Sequence, residues 1–322
     1  LALRLGRHKR DSPRKEAPVR FYIGVTDNQW FKYLSLIKPD EVNFWRPGGK
    51  ASFAALEPGA PFLFKLHSPQ DYIVGGGYFV SHSFLPLSMA WEVFGTKNGA
   101  PDFETFRSAI LNRREPGGGP DPVIGNIVLT EPFFLPPERW IPAPRDWHPA
   151  IQQGKGYDLA EPIGRELWHR VQAAQGLVMA LPQPVRQVAE PATAPLSLHR
   201  LGQGGFRVLV TEAYERRCSV TGERTLPVLQ AAHIKPVSES GPQEVKNGIL
   251  LRADLRILFE RGYVTVTDKL NVEVSPRIKS DFDNGKQYYA LHGQALQVLP
   301  ADPALRPGVG YLRWHNEHRF RG

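Results

Sequence analysis

The segment that begins at residue 227 constrains the fold most, because it places two short strands, a helix and a hairpin in direct succession. "PVLQAAHI" and "GILL" are apolar runs of strand length. "RADLRILFERG" has the period of an amphipathic helix, which Gly262 ends. "YVTVTDKLNVEVS" alternates on either side of a turn, which is typical of a hairpin. These patterns predict a small ββα unit followed by a hairpin.

Polar residues stand at the ends of these predicted elements. His233 ends the first strand and Asn247 begins the second, where an asparagine side chain can bond the backbone and pin a loop. The helix offers Asp254, Arg256 and Glu260; the last two are four apart and share a face, whereas Asp254 points elsewhere. Phosphodiester hydrolysis needs a base for water, a divalent cation and a group that holds the base. Residues of these types could supply all three.

Five motifs occur in order: "CSVTGE", "AAHIKP", "NGILLRADL", "LFERGYVTV" and "YYALHGQ". Together they resemble the HNH endonuclease family, in its subgroup with a ββα-metal core and no structural zinc, over about residues 206 to 320. The resemblance implies a nuclease that uses Mg²⁺ or Mn²⁺. It also implies His233 as the general base and Asn247 as the residue that orients the loop.

Arg256 departs from this family, which usually has a metal-binding histidine at that position. A guanidinium stays protonated and has no free lone pair, so it cannot bind a metal. Three interpretations remain open. Asp254 or Glu260 takes over coordination, since oxygen ligands suit Mg²⁺; Arg256 binds the scissile phosphate itself; or the domain has lost catalysis and only binds DNA. The first two together favour an active nuclease.

The N-terminal part, from about 20 to 144, is predicted to be mainly strands. "FYIGVTD", "APFLFKLHS", "DYIVGGGYFV" and "VIGNIVLTEPFFL" are rich in branched and aromatic residues and have turn residues at their edges. "TDNQWFKYLSLI" and "DFETFRSAILNRR" are predicted helices that begin at capping residues. This density of strands predicts a compact β-barrel with helices at its ends, and an α+β class for the whole chain.

Within this region, "DEVNFWRPGG" places Phe44 and Trp45 between Asn43 and Arg46. An aromatic platform, an amide and an arginine can stack a base, read its edge and hold its phosphate. The predicted loop "SHSFLPLSMAWEVFG" adds Ser88 and Trp91 to this candidate base-binding set. The alternative for each aromatic residue is ordinary core packing.

The strand order and "FLFKLH…IVGGGYF" resemble the PUA-like superfamily, which includes the EVE and SRA modified-base readers. That resemblance implies that a modified cytosine is flipped from double-stranded DNA into an aromatic pocket. With the nuclease motifs, it makes the chain similar to modification-dependent restriction endonucleases. A DNA-binding protein that keeps a silent nuclease fold, and an RNA-directed binder or nuclease, are the alternatives.

Composition agrees with these expectations. Lys and Arg outnumber Asp and Glu by 40 to 32, a formal net charge of +8 that favours a polyanionic partner. Cys218 is the single cysteine, so we expect no intrachain disulfide and a reducing, cytoplasmic setting. No apolar run approaches the ~20 residues of a membrane span.

Four divisions of the chain are predicted. The Pro- and Ala-rich stretch after Leu181 has the composition of a linker. We therefore expect an N-terminal extension (1–19), a base-reading domain (20–180), a linker (181–205) and a nuclease domain (206–322). The sequence starts without methionine, as a start inside a longer chain would give. A homodimer would suit a double-strand cutter, although no residue argues for one.

Overall fold

The computed structural model describes residues 20–114, 119–176 and 201–322. The predicted extension (1–19), part of the glycine-rich insertion "REPGGGPDP" and the predicted linker as far as residue 200 lie outside the described residues. The α+β class is confirmed. An N-terminal domain built on one large sheet is followed by a C-terminal domain of helices with two two-stranded sheets.

The N-terminal domain is a seven-stranded sheet. Its strands are β1 (Arg20–Thr26), β2 (Glu41–Arg46), β3 (Pro61–Leu66), β4 (Tyr72–Pro86), β5 (Val123–Phe134), β6 (Ile141–Pro142) and β7 (Gly154–Asp158). They run in the order β2-β5-β4-β3-β1-β7, with β6 on β4, and β1 pairs with β3 in parallel. The other pairs are antiparallel.

This sheet is strongly curved. Phe44 lies on β2 and Phe62 on β3, and two strands separate β2 from β3 in the sheet, yet the two ring centroids are 4.8 Å apart. In a flat sheet three strand spacings would separate them by about 14 Å. The sheet therefore folds back on itself, as the wall of a barrel does.

In the described part of the chain the sheet is accompanied by the helices α1 (Asn28–Ile37), α2 (Leu87–Phe94), α3 (Phe103–Leu111) and α4 (Pro162–Gln175). Asp27 caps α1 by accepting from the backbone N–H groups of Gln29 and Trp30, and Asp102 caps α3 by accepting from Thr105. The predicted loop "SHSFLPLSMAWEVFG" is wrong. Its first residues continue β4, whose apolar alternation carries on to Pro86, and the rest form α2.

The C-terminal domain contains the predicted ββα unit. Its elements are α5 (Gln203–Ala213), β8 (Leu229–His233), β9 (Gly248–Arg252), α6 (Ala253–Glu260), β10 (Val264–Val266), β11 (Val272–Val274), α7 (Arg277–Phe282), α8 (Lys286–Tyr289) and α9 (Val309–His318). β8 pairs antiparallel with β9, with His233 opposite Gly248, and β10 pairs with β11 as the predicted hairpin. Gly262 ends α6 at a φ of +76°, where glycine has no steric cost.

Helix α5 belongs to the cores of both domains. Phe206 and Val210 are buried in the C-terminal core, whereas Val208 is buried among N-terminal residues that include Phe94 and Val128. The helix starts at Gln203, inside the range predicted as linker. The two domains therefore share a packed interface.

Within the described ranges, none of the helices is both long and apolar enough to cross a lipid bilayer.

Candidate functional site

His233 lies at the end of β8 with its imidazole stacked on the ring of Phe206. The two ring centroids are 3.8 Å apart and the planes differ by 8°. Nε2 is buried and has no hydrogen-bond partner among the described residues. Burial, assisted by the charge of Arg256, lowers the pKa of His233 to about 4. The imidazole is therefore neutral near pH 7, and an incoming phosphate would raise its pKa and improve it as a base.

Asn247 is fully buried and ties together the loop that follows His233. Its Oδ1 accepts from the Lys235 N–H at 2.9 Å, while its Nδ2 donates to the carbonyls of Lys235 (2.9 Å) and Pro242 (2.8 Å). Its own carbonyl accepts from the Ile234 N–H at 2.8 Å. The side chain thus holds both ends of the turn that leads away from His233.

Arg256 and Glu260 form an ion pair on one face of α6, as their spacing predicts. Arg256 Nη2 is 2.8 Å from Glu260 Oε1, and Arg256 Nη1 donates to Gln230 Oε1 at 2.8 Å. Arg256 Nε is buried and without a partner in the described parts of the chain. Glu260, His233 and Arg319 line the same cavity of about 460 Å³. A basic and an acidic group therefore stand near the candidate base.

Asp254 faces away from this cavity. Arg252 holds its carboxylate in a two-point ion pair, Nε to Oδ1 at 2.7 Å and Nη2 to Oδ2 at 2.8 Å, and the Tyr288 hydroxyl is 3.3 Å from Oδ2. The hydrogen bond from Arg252 lowers the pKa of Asp254. The structure does not bring Asp254 together with His233, because a residue two positions from Arg256 lies on another face of the helix.

Phe44, Trp45 and Arg46 line a second cavity, of about 900 Å³, inside the curved N-terminal sheet. Trp45 donates from Nε1 to the Asn98 carbonyl at 2.9 Å, and the Arg113 guanidinium lies 5.7 Å from its ring centroid. Arg46 donates to Gln153 Oε1. The cavity therefore combines aromatic faces with the guanidinium groups of Arg46 and Arg113, which suits an unstacked nucleotide base.

The other three predicted base-binding residues lie outside this cavity. Asn43 is fully buried, and its side-chain amide donates to the Oδ1 atoms of Asn98 (2.8 Å) and Asn126 (2.7 Å). Ser88 is bound to Asp121, and Trp91 stacks on Phe106 in the α2–α3 region. None of the three is among the described residues that line the cavity.

Comparison with known proteins bears on both domains. Residues 218–267 match the family model of the HNH endonucleases. This C-terminal domain is an HNH domain. Two of the similar solved structures are an ASCH protein from Zymomonas mobilis and the modification-dependent TagI restriction endonuclease. The ASCH protein has 10% identity, covers 46% of this chain and 94% of its own, and has a TM-score of 0.34. TagI has 15% identity, covers 86% of this chain and 75% of its own, and has a TM-score of 0.27. None of the curated proteins matches the chain.

HNH endonucleases generally use a divalent metal ion, which needs a set of donor side chains to hold it. Among residues 20–114, 119–176 and 201–322, no three His, Cys, Asp or Glu side chains group closely enough to hold a metal. Glu260 is the one acidic residue among the described residues lining the His233 cavity. Mg²⁺ is often bound by one or two carboxylates together with substrate phosphates and water. The residues therefore fit a Mg²⁺ ion that binds with the substrate through Glu260, and not a preformed metal centre.

Three residues of the N-terminal cavity had escaped the sequence reasoning. Lys65 is only 2% exposed; its Nζ is 2.5 Å from Asp71 Oδ1 and 4.9 Å from the Trp147 ring centroid. A lysine inside the apolar run "FLFKLH" was the signal, because a buried ammonium requires a partner.

Proposed function

We propose that this chain is a DNA endonuclease in which the HNH domain hydrolyses phosphodiesters and the N-terminal cavity holds a modified base. The observation that carries the proposal is the unpartnered Nε2 of His233, held beside a cavity on the segment that matches the family. A neutral imidazole with a free ring nitrogen is the form that accepts a proton.

In the proposed reaction, His233 takes a proton from a water molecule whose oxygen attacks the phosphorus. The bond from phosphorus to the leaving sugar oxygen breaks as the new bond forms, and that oxygen takes a proton from solvent. A divalent cation, Mg²⁺ or Mn²⁺, would be held by Glu260 and would neutralise negative charge on the phosphate. Asn247 keeps the His233 loop in place, and Arg256 adds positive charge near the base.

The N-terminal cavity supports the reading part of the proposal. Its volume, near 900 Å³, lies within the 300–1,000 Å³ typical of ligand sites. Phe44 and Trp45 provide ring faces, and Arg46 and Arg113 provide positive charge for a flipped nucleotide. A modified cytosine in double-stranded DNA is the ligand we propose.

A specific observation also favours the second candidate, a silent nuclease fold that only binds DNA. Arg256 neutralises Glu260, which is the acidic group that the described part of the His233 cavity offers to a metal. In that case the N-terminal cavity carries the function and metal has no effect. An RNA substrate is the third candidate, and a requirement for the 2′-hydroxyl would identify it.

Cleavage of modified and unmodified DNA of the same sequence, with Mg²⁺, Mn²⁺ or EDTA, separates these candidates. We expect the native chain to cut the modified duplex. Adding EDTA, or the substitution His233→Ala, should abolish that cutting. If the Arg256→His variant cuts DNA and the native chain does not, the native protein is the second candidate, a silent nuclease fold that only binds DNA. The cytoplasmic setting and the homodimer stay predictions.

A further inference from the structure

Glu41, on the N-terminal sheet, binds the first helix of the HNH domain. Its carboxylate accepts from the backbone N–H of Gly204 (Oε1, 2.6 Å) and of Gly205 (Oε2, 2.7 Å), and it is only 1% exposed. Lys97 Nζ lies 2.9 Å from Oε1 and 2.6 Å from Asp40 Oδ1, which balances the buried charge. One carboxylate thus accepts hydrogen bonds from two backbone N–H groups in the first turn of α5.

The chemistry of a helix end explains this contact. The first N–H groups of a helix lack partners within it, and the helix dipole favours negative charge there. The residue before α5 is Gly202, which has no side chain to cap it. A Cβ at Gly202 would lie 2.2 Å from Glu41 Cδ, and one at Gly204 would lie 2.6 Å from the Phe94 ring. The glycines leave the space that a cap from the other domain requires.

The same helix carries the ring that supports His233. Phe206 follows Gly205 directly, is buried, and stacks on the imidazole. Gln203, the first residue of α5, lines the His233 cavity. Because a helix moves as a rigid element, the seating of its first turn on Glu41 sets the position of Phe206.

We infer that Glu41 is a positioning residue for His233, acting through α5 and Phe206, so that the N-terminal domain completes the nuclease site. The inference rests on the proposed function for its catalytic meaning. Glu41 is not among the described residues that line the His233 cavity. It fixes the surface against which the candidate base is stacked.

The test uses the full chain and two readouts. The first is the ring resonances of His233 in ¹H–¹³C NMR spectra without DNA, assigned by their loss in His233→Ala. A phenyl ring 3.8 Å above the imidazole shifts these resonances upfield. The second is kcat and KM for cleavage of modified DNA. The variants are Glu41→Gln, Glu41→Asp and Phe206→Leu, and the matched control is the exposed Glu104→Gln.

We expect Phe206→Leu to abolish the upfield shift and Glu41→Gln to reduce it, with kcat about 10- to 100-fold lower and KM unchanged. Glu41→Asp, which keeps the charge but draws it back by one methylene, should give a smaller loss. Glu104→Gln should match the native chain. Native His233 resonances in both Glu41 variants would overturn the inference.

The two proposals fail separately. If the native chain does not cut DNA but the Glu41 variants still move the His233 resonances, the nuclease function is wrong and the positioning role stands. If the native chain cuts and the Glu41 variants cut equally well, the positioning role is wrong. If Glu41→Gln does not fold, Glu41→Asp still decides the question, because it changes the same contact and keeps the charge.

Discussion

The imidazole of His233 is stacked on the ring of Phe206: the ring centroids are 3.8 Å apart and the angle between the ring planes is 8°. The face of the candidate base is thereby covered by an apolar ring, which removes water from it. This contact and the charge of Arg256 keep the histidine neutral, with a pKa of about 4. If His233 is the base, as proposed, an anionic substrate beside it would raise its pKa.

Arg256→His should restore a metal ligand without changing the fold. We expect tighter Mn²⁺ binding in the absence of DNA by isothermal titration calorimetry, because a neutral imidazole binds metal and a guanidinium does not. Arg256→Lys keeps the charge without adding a ligand at pH 7, and serves as the control. Equal Mn²⁺ affinity in all three proteins would show that position 256 does not face the metal.

Asn247→Ala should destabilise the fold by about 3 kcal/mol. The change removes three part-buried hydrogen bonds, one from the Lys235 N–H and two to the carbonyls of Lys235 and Pro242, and each contributes about 1 kcal/mol. Urea unfolding measures the loss. Asn284→Ala, at an exposed position, should stay within about 0.5 kcal/mol of the native chain. A loss of similar size in both variants would contradict the role of Asn247 as a loop anchor.

The free energy of unfolding should decrease as the pH is lowered, because of His315. This histidine is 2% exposed, its Nδ1 is 2.8 Å from Thr265 Oγ1 and its Nε2 is 3.0 Å from the Phe259 carbonyl. Burial lowers its pKa to about 4. Since the unfolded-state pKa is about 6.5, the unfolded chain binds the proton first, and stability present above pH 6.5 is lost as the pH falls toward 4.

The expected loss between pH 7 and pH 5 is about 2 kcal/mol for this one residue. Urea unfolding at several pH values measures it, and His315→Gln should reduce the slope over that range to the part that His233, whose pKa is also about 4, still contributes. An unchanged slope in the variant would assign the pH dependence to other groups.

Arg46→Ala and Ser88→Ala provide a matched test of the reading cavity. Both residues are predicted base-binding positions, but only Arg46 lines the cavity. We expect Arg46→Ala to weaken binding of a modified duplex about tenfold, as loss of one charged contact of about 1.4 kcal/mol would. Ser88→Ala should bind normally. Fluorescence anisotropy in EDTA measures both, and the opposite ranking would reject this cavity as the base site.

The ββα unit could be predicted from the sequence because its information is local. The periods of β8, β9 and α6, and the residues at their ends, lie within one short segment. The ion pair of Arg256 with Glu260 follows from helical spacing alone.

The rest depends on contacts between distant parts of the chain. Asn43 is drawn into an amide cluster with Asn98 and Asn126, and Trp91 packs on Phe106, so neither reaches the cavity. No periodicity in "DEVNFWRPGG" distinguishes the residue that faces the cavity from its buried neighbour. The contact of Glu41 with Gly204 was equally out of reach, because it joins two domains.

The shared helix α5 also determines where this protein can be cut and rejoined. A junction at residue 206, where the nuclease domain is predicted to begin, would separate Phe206 from Gly204 and Gly205, which Glu41 binds. A chimera that combines this HNH domain with another N-terminal domain would need to keep residues 201–205 and to supply a buried acid opposite them. The unit that can be transferred is therefore the HNH domain together with residues 201–205. Only a domain that places a buried acid opposite these residues can be joined to it.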